Sequence, residues 1–335
     1  MIAALSTNAS ALNFDFTFTP TSTAQDIAAF NAAGAFWSSQ FADNVTIKMD
    51  VGTDALGAGI LASTGSTQGT LSYTDFKDAL SADASSATDT AALSSLTVNS
   101  TFGMLLNRTS NNPNGAGSAT AYLDNDGDAN NSTIRITTAN AKALGYTFSP
   151  TMSDASIIFA NSFSWDYDSS NGVTAGSYDF VGIAIHEIGH ALGFISGVDI
   201  LDGNSPPTNG PFSDDQFTYV SSLDLFRYSA ASTTSGVIDW TASNTNKYFS
   251  LDNGATSIAA FSTGLTFGDG RQASHWKDNL GLGIMDPTAG TGETLAAGPN
   301  DLIAFDAIGW DLVPEPSSLL LGSFGMLFAI GRRRR

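Results

Sequence analysis

The sequence predicts an α+β fold, and three stretches carry that reading. Ile27, Phe30, Gly34, Trp37 and Phe41 recur at helical spacing behind a Ser/Thr start, so Thr23 to Ala42 is expected to be a long helix. Val45, Ile47, Met49 and Val51 alternate with polar residues, the period of a half-buried strand. A second strongly apolar helical pattern runs from Asp179 to Gly193. Between these lies no regular alternation of strand and helix and no repeat of fixed period, which separates the chain from doubly wound and solenoid architectures.

In chain order, Phe14 to Phe18 alternates like a strand ahead of the first helix. A further helical pattern begins near Tyr73, and strand-like runs surround Leu96 to Leu106. Ala155 to Asp168 (ASIIFANSFSWDYD) opens with an apolar, β-branched run that reads as a strand. Past Phe194, LDLFRYS (Leu223 to Ser229) and KYFSLDN (Lys247 to Asn253) are strand-like pieces separated by Ser, Thr, Asn and Gly turns. The segment is too long for a bare loop and is expected to form a small β-element of its own. DLIAFDAIGW (Asp301 to Trp310) reads as a closing helix packed on the second half.

The helix from Asp179 to Phe194, DFVGIAIHEIGHALGF, carries the chemistry. His186 and His190 stand four residues apart, so on a helix both imidazoles share one face and can aim at one point. Glu187, rotated by about 100°, can reach a water there without being a ligand itself. Asp179 is expected as N-cap and Gly193 as the residue that ends the helix. Val181, Ile185, Ile188 and Leu192 form a separate apolar stripe that can hold the helix on a core. The chain has only three His, so two of them falling into H-E-x-x-H is a specific signal for a zinc site rather than a chance pair.

A catalytic zinc usually takes three protein ligands. The only other histidine is His275, in SHWKDNLGLGIMDP (Ser274 to Pro287). HEIGHALGF, a long insertion, a distant His and a Met-Asp-Pro turn together resemble the metzincin zinc metalloproteases, in the leishmanolysin-like branch. Ser196 stands where most metzincins carry their third ligand. The resemblance implies that His275 is the third ligand and that Met285 forms the floor beneath the metal. It also implies a twisted sheet backed by two long helices, a lower irregular subdomain with an inserted β-element, and a zinc cleft between them. The run before the active-site helix, Ile157, Ile158, Phe159, Ala160 and Asn161, would be the edge strand that binds an extended substrate. Asp199, Asp202 and Glu293 remain alternative third ligands.

Composition sets the surroundings. With 32 acidic and 13 basic residues the chain has a net charge of −19, which excludes a nucleic-acid surface. Cysteine is absent, so disulfides and thiolate metal sites are excluded. Asp124, Asp126 and Asp128 in DNDGDANN are candidate Ca²⁺ ligands, although Gly127 falls too early and Arg135 stands at the twelfth position of an EF-hand loop; a solvated turn is the alternative.

Residues 1–11 read as a signal-peptide remnant with an A-x-A-like end. Residues 12–193 form an N-terminal catalytic subdomain and 194–312 a C-terminal subdomain. Val313-Pro314-Glu315-Pro316, an uncharged run and four arginines make up 313–335. That tail is similar to PEP-CTERM sorting tails, which implies recognition by an exosortase in a Gram-negative envelope. The expected function is therefore an exported, monomeric zinc endopeptidase acting on protein or peptide substrates. The alternatives are a surface or matrix binding protein without useful catalysis and a zinc hydrolase of a non-peptide bond.

Overall fold

The computed structural model describes residues 12–314. The signal-peptide remnant (1–11) and the sorting tail from Glu315 onward lie outside the described residues.

The first half opens with β1 (Asn13–Phe18), α1 (Ala24–Gln40) and β2 (Thr46–Asp54), as the periodicities require. Thr23 caps α1: its hydroxyl accepts from the Asp26 amide at 3.2 Å, and the Asp26 carboxylate accepts from the Thr23 amide at 2.7 Å. Two amides that the first turn leaves without helical partners are thereby satisfied. Phe30, Ala33 and Trp37 are fully buried along one side of α1, whereas Ile27 stays at the surface.

Next come β3 (Ala62–Ser66), β4 (Gln68–Ser72), α2 (Tyr73–Asp83), α3 (Ala87–Ser95), β5 (Met104–Leu106), β6 (Tyr122–Asp124), β7 (Thr133–Thr137), α4 (Thr138–Ala143) and β8 (Ala155–Ala160). Helix α2 begins at Tyr73, as read. Of the run from Leu96 to Leu106 only the last three residues form a strand, and Leu96 instead caps the end of α3.

The main sheet has the order β1-β2-β8-β3, in which β3 alone runs antiparallel. This corrects the expected edge strand. Ile157, Ile158, Phe159 and Ala160 lie in β8, which is paired on both sides: Ile157 faces Val51 of β2 and Thr64 of β3. Asn161 falls past the end of the strand, exposed. An apolar, β-branched run signals a covered strand, and Ile157 and Phe159 are fully buried on the face where Phe159 meets Phe30 of α1 and Phe180. The edge is β3, whose sequence ASTGS is too small and polar to have announced a strand.

After β9 (Trp165–Asp166) and β10 (Tyr178–Asp179) the chain enters α5 (Phe180–Leu192). Helices α1 and α5 pack on each other and on the sheet: Trp37 Nε1 donates to the Ile185 carbonyl at 3.0 Å. Phe30 meets Phe159 and Phe180 edge-on at 5.2 and 5.6 Å between ring centres. Burying a phenylalanine here contributes about 1.5–3 kcal/mol, and the aromatic cluster fixes the height of α5 above the sheet.

The second half contains α6 (Val198–Gly203), β11 (Arg227–Tyr228), α7 (Ala230–Ser235), β12 (Ile238–Asp239), β13 (Lys247–Phe249), β14 (Ala259–Phe261) and α8 (Pro299–Ala307). The small antiparallel sheet β11-β13-β14 is the β-element foreseen in the insertion. Residues Leu223–Phe226, read as part of a strand, instead form a 3₁₀ turn. Strand β12 leaves the insertion and pairs with β5 in a sheet β12-β5-β6, so hydrogen bonding crosses the expected boundary after residue 193. Helix α8 packs on the second half, as expected, through Asp301 and Trp276, and on the first half as well. Its Phe305 packs on Trp37 and Phe41 at the end of α1, 4.9 and 5.7 Å between ring centres. Trp310 donates to the Leu192 carbonyl at 2.9 Å. The closing helix therefore joins the two halves beneath α5; its apolar residues told that it was buried but not that it also meets α1.

Candidate metal centre

Helix α5 is held at both ends. The Asp179 carboxylate accepts from the Gly182 amide at 3.0 Å and from the Leu295 amide at 3.1 Å, so the cap also ties in the chain beyond the Met285 turn. Gly193 ends the helix at φ 123°, a conformation that side chains resist. Between these points α5 presents His186, Glu187 and His190 to a cleft of about 650 Å³, and His275 lines the same cleft from the opposite side.

The three imidazoles converge. His190 Nε2 lies 3.1 Å from His186 Nε2 and 3.1 Å from His275 Nε2. On the other side of each ring, Nδ1 meets a backbone carbonyl: Ile284 at 2.7 Å for His186, Phe194 at 2.7 Å for His190, and Gln272 at 3.3 Å for His275. A carbonyl can only accept, so each Nδ1 carries the proton and each Nε2 of a neutral ring is left with a lone pair. Burial, with His186 beside it, holds His190 down at about 3, and burial with His190 and His186 nearby takes His275 well below the usual range. Both rings are therefore neutral at pH 7. The lone pairs of His190 and His275 face each other with His186 Nε2 beside them, an arrangement that a shared cation would stabilise. Tetrahedral ligands about 2.05 Å from a zinc ion would stand about 3.3 Å apart, close to the spacing found.

The loop that carries the third histidine is positioned by Asp199. Its carboxylate accepts from the Ala273 amide at 2.6 Å and from the Ser274 amide at 3.1 Å, and the Ser274 hydroxyl donates to it as well. Asp202 accepts from the Thr266 and Phe267 amides at 2.7 and 2.8 Å, and Glu293 accepts from the Gly290 amide at 2.6 Å on the surface. The three alternative ligands are thus engaged in holding loops, while His275 meets the other two imidazoles.

Met285 is fully buried directly beneath α5. A side chain on Gly189 would place its Cβ 2.6 Å from Met285 Sδ, so the glycine inside the H-E-x-x-H turn is what lets the methionine lie there. Sequence reading passed over this residue, although a glycine in mid-helix costs about 1 kcal/mol and calls for a reason. Asp301 was missed too. Its buried carboxylate accepts from Trp276 Nε1 at 2.8 Å and from the amides of Ile284, Met285 and Gly298 at 2.8, 3.3 and 2.7 Å. Because the Ile284 carbonyl receives His186, this one carboxylate fixes both the methionine turn and the orientation of a histidine.

Gly189→Ala is expected to destabilise the fold despite the better helix propensity of alanine. The propensity gain is about 1 kcal/mol, against about 1–3 kcal/mol for overpacking. Thermal unfolding should show a lowered midpoint, and the same glycine change should lower it less when made in a Met285→Ala background; a raised midpoint in the single variant would mean that the methionine moves aside freely.

Glu187 is buried at the cleft wall, and Thr64 of β3 donates to its Oε2 at 2.6 Å. Desolvation raises its pKa, opposed by His186 and by the Thr64 hydrogen bond. Such a carboxylate is a stronger base than one in water. Thr64, another residue that the sequence did not single out, lies in the exposed-edge strand: β3 pairs with β8 on one side, and its residues Ala62 to Thr64 and Ser66 line the cleft. An extended chain lying there can add to the sheet beside Glu187.

Asp124, Asp126 and Asp128 do not line the cleft; Asp124 ends β6, and Asp126 and Asp128 sit on the loop that follows it.

Residues 312–335 match a family model described as the PEP-CTERM protein-sorting motif. The chain carries a sorting tail. Export to the cell envelope or surface, with recognition by exosortase-type machinery, follows from that tail. No curated protein and no solved structure matches the chain. No helix among the described residues is long and apolar enough to cross a membrane.

Proposed function

We propose that this protein is an exported zinc-dependent endopeptidase of metzincin type. The observation that carries the reading is the meeting of three Nε2 atoms, with His190 3.1 Å from each of the other two, beside a buried glutamate in an open cleft. A trio of imidazole nitrogens suits zinc better than calcium or magnesium, which select oxygen. When bound by His186, His190 and His275, zinc supplies a Lewis acid and lowers the pKa of a coordinated water to about 7.

The chain does the rest. Glu187 takes the proton from the attacking water and returns it to the leaving amine. Thr64 holds the Glu187 carboxylate by its Oε2, leaving Oε1 free of that contact. The carbonyls of Ile284, Phe194 and Gln272 lock the histidine tautomers and raise the basicity of the ligating nitrogens. Strand β3 would bind the substrate backbone in extended form, which favours a peptide bond over other scissile groups. The methionine under the helix, the distant third histidine and the two packed helices agree with the likeness to the leishmanolysin-like branch.

Casein hydrolysis tests the reading. Zinc-loaded protein should cleave it, lose activity to a chelator and regain it with zinc. Turnover of small esters with none of casein would redirect the site to a non-peptide bond.

A further inference from the structure

Away from the cleft, the DNDGD loop meets a second acidic segment that is distant in sequence. Carboxylate oxygens of Asp124, Asp126 and Asp214 lie within 4.8 Å of one another, and those of Asp128, Asp214 and Asp215 do the same. Asp214 and Asp215 belong to a 3₁₀ turn (Asp214–Gln216) in the insertion between α6 and β11. None of the ion pairs among the described residues involves any of the five. Asp124 and Asp214 are nevertheless buried, at 3% and 4% exposure.

Hydrogen bonds satisfy the group only in part. Asp214 accepts from the Asn111 side-chain amide, from the Asp215 amide at 3.0 Å and from the Tyr122 hydroxyl at 3.1 Å. Asp126 accepts from the Asp128 amide at 3.2 Å, and Asp128 from the Asn130 amide at 3.3 Å. A separate observation points to a ligand. Asn130 is fully buried and reaches into the cluster, where its Nδ2 donates to Asp124 Oδ2 at 2.8 Å, yet its carbonyl oxygen Oδ1 has no partner. A buried acceptor left without a donor is costly. Beside crowded carboxylates, a cation would satisfy it together with them. Burial, with the neighbouring carboxylates adding to it, already pushes Asp124 up to about 6 and Asp128 up to about 7.

We propose that Asp124, Asp126 and Asp214, with the Asn130 side-chain carbonyl, bind a calcium ion that staples the loop after β6 to the insertion. The donors are all hard oxygens, and an ion about 2.4 Å from each spans pairs up to about 4.8 Å apart. Calcium tolerates such an irregular set, whereas magnesium demands a tight octahedron. Part of the sequence reading is thereby extended: Asp124 and Asp126 stay as ligands, and Asp128 turns toward Asp215 as a neighbouring group around the shared Asp214. Exported chains meet calcium at millimolar concentrations, where sites with a Kd of about 10⁻⁴–10⁻³ M are filled.

Calorimetric titration of calcium chloride into the zinc-loaded full chain, with thermal unfolding alongside, tests this. Saturable binding in that range is expected, with an unfolding midpoint raised by several degrees in 2 mM calcium and far less in 2 mM magnesium. Asp126 is exposed, so Asp126→Asn should fold normally and bind calcium at least tenfold more weakly; Asp214→Asn should do the same. Absence of saturable binding, wild-type affinity in both variants, or an equal midpoint shift from magnesium would overturn the site and leave only screening of an acidic surface.

Discussion

Glu187→Gln is expected to retain zinc and lose peptide hydrolysis by about 10²–10⁴-fold, the contribution of a positioned general base. The substitution keeps the shape of the side chain, and its amide oxygen can still accept from Thr64, so the fold has no reason to change. What it removes is the site for the proton. Zinc content by elemental analysis and casein turnover on the same samples check this. Loss of metal in the variant would make Glu187 a ligand, and undiminished turnover would remove it from the chemistry.

His275→Ala should lower zinc affinity by more than about 100-fold, since loss of an outer partner alone typically costs 10–100-fold. The accompanying stability change separates a ligand from a packing residue. In the metal-free protein the neutral rings of His190 and His275 bring their Nε2 lone pairs to 3.1 Å, so removing the His275 ring relieves that repulsion and the unfolding midpoint should not fall. The rise that zinc produces in wild type, through binding to the folded state only, should disappear. A lowered metal-free midpoint with zinc affinity intact would make His275 a structural residue. In that case one of the three carboxylates, Asp199, Asp202 or Glu293, would have to leave its loop amides to become the ligand.

Much of the centre was legible because local and chemical signals coincide in one stretch. The i, i+4 histidines lie within α5 and the Asp179 cap and Gly193 stop lie at its two ends, where spacing alone sets direction. Helix α1 and strands β1 and β2 were legible for the same reason: each declares its own period. Pairing partners were not. Ile157 and Phe159 announce a buried strand, but nothing in them tells that Thr64 lies opposite, nor that ASTGS is the edge. Likewise Ile238 and Asp239 gave no hint of joining β5 across more than a hundred residues. The supporting carboxylates Asp199 and Asp301 were hidden for another reason. They bind backbone amides, which every residue offers, so their partners leave no mark in the sequence. The acidic loop after β6 was visible, but its completion by Asp214 depends on how the insertion folds back.

The central claim is that three histidines and Glu187 form a working zinc peptidase, and one paired measurement addresses it most directly. Wild type and Glu187→Gln would be prepared identically, and zinc per chain and casein turnover determined on each. The account predicts equal zinc in both, about one ion for each trio of histidines, with turnover in wild type alone. A wild type that binds no zinc, or equal turnover in the two proteins, would contradict it.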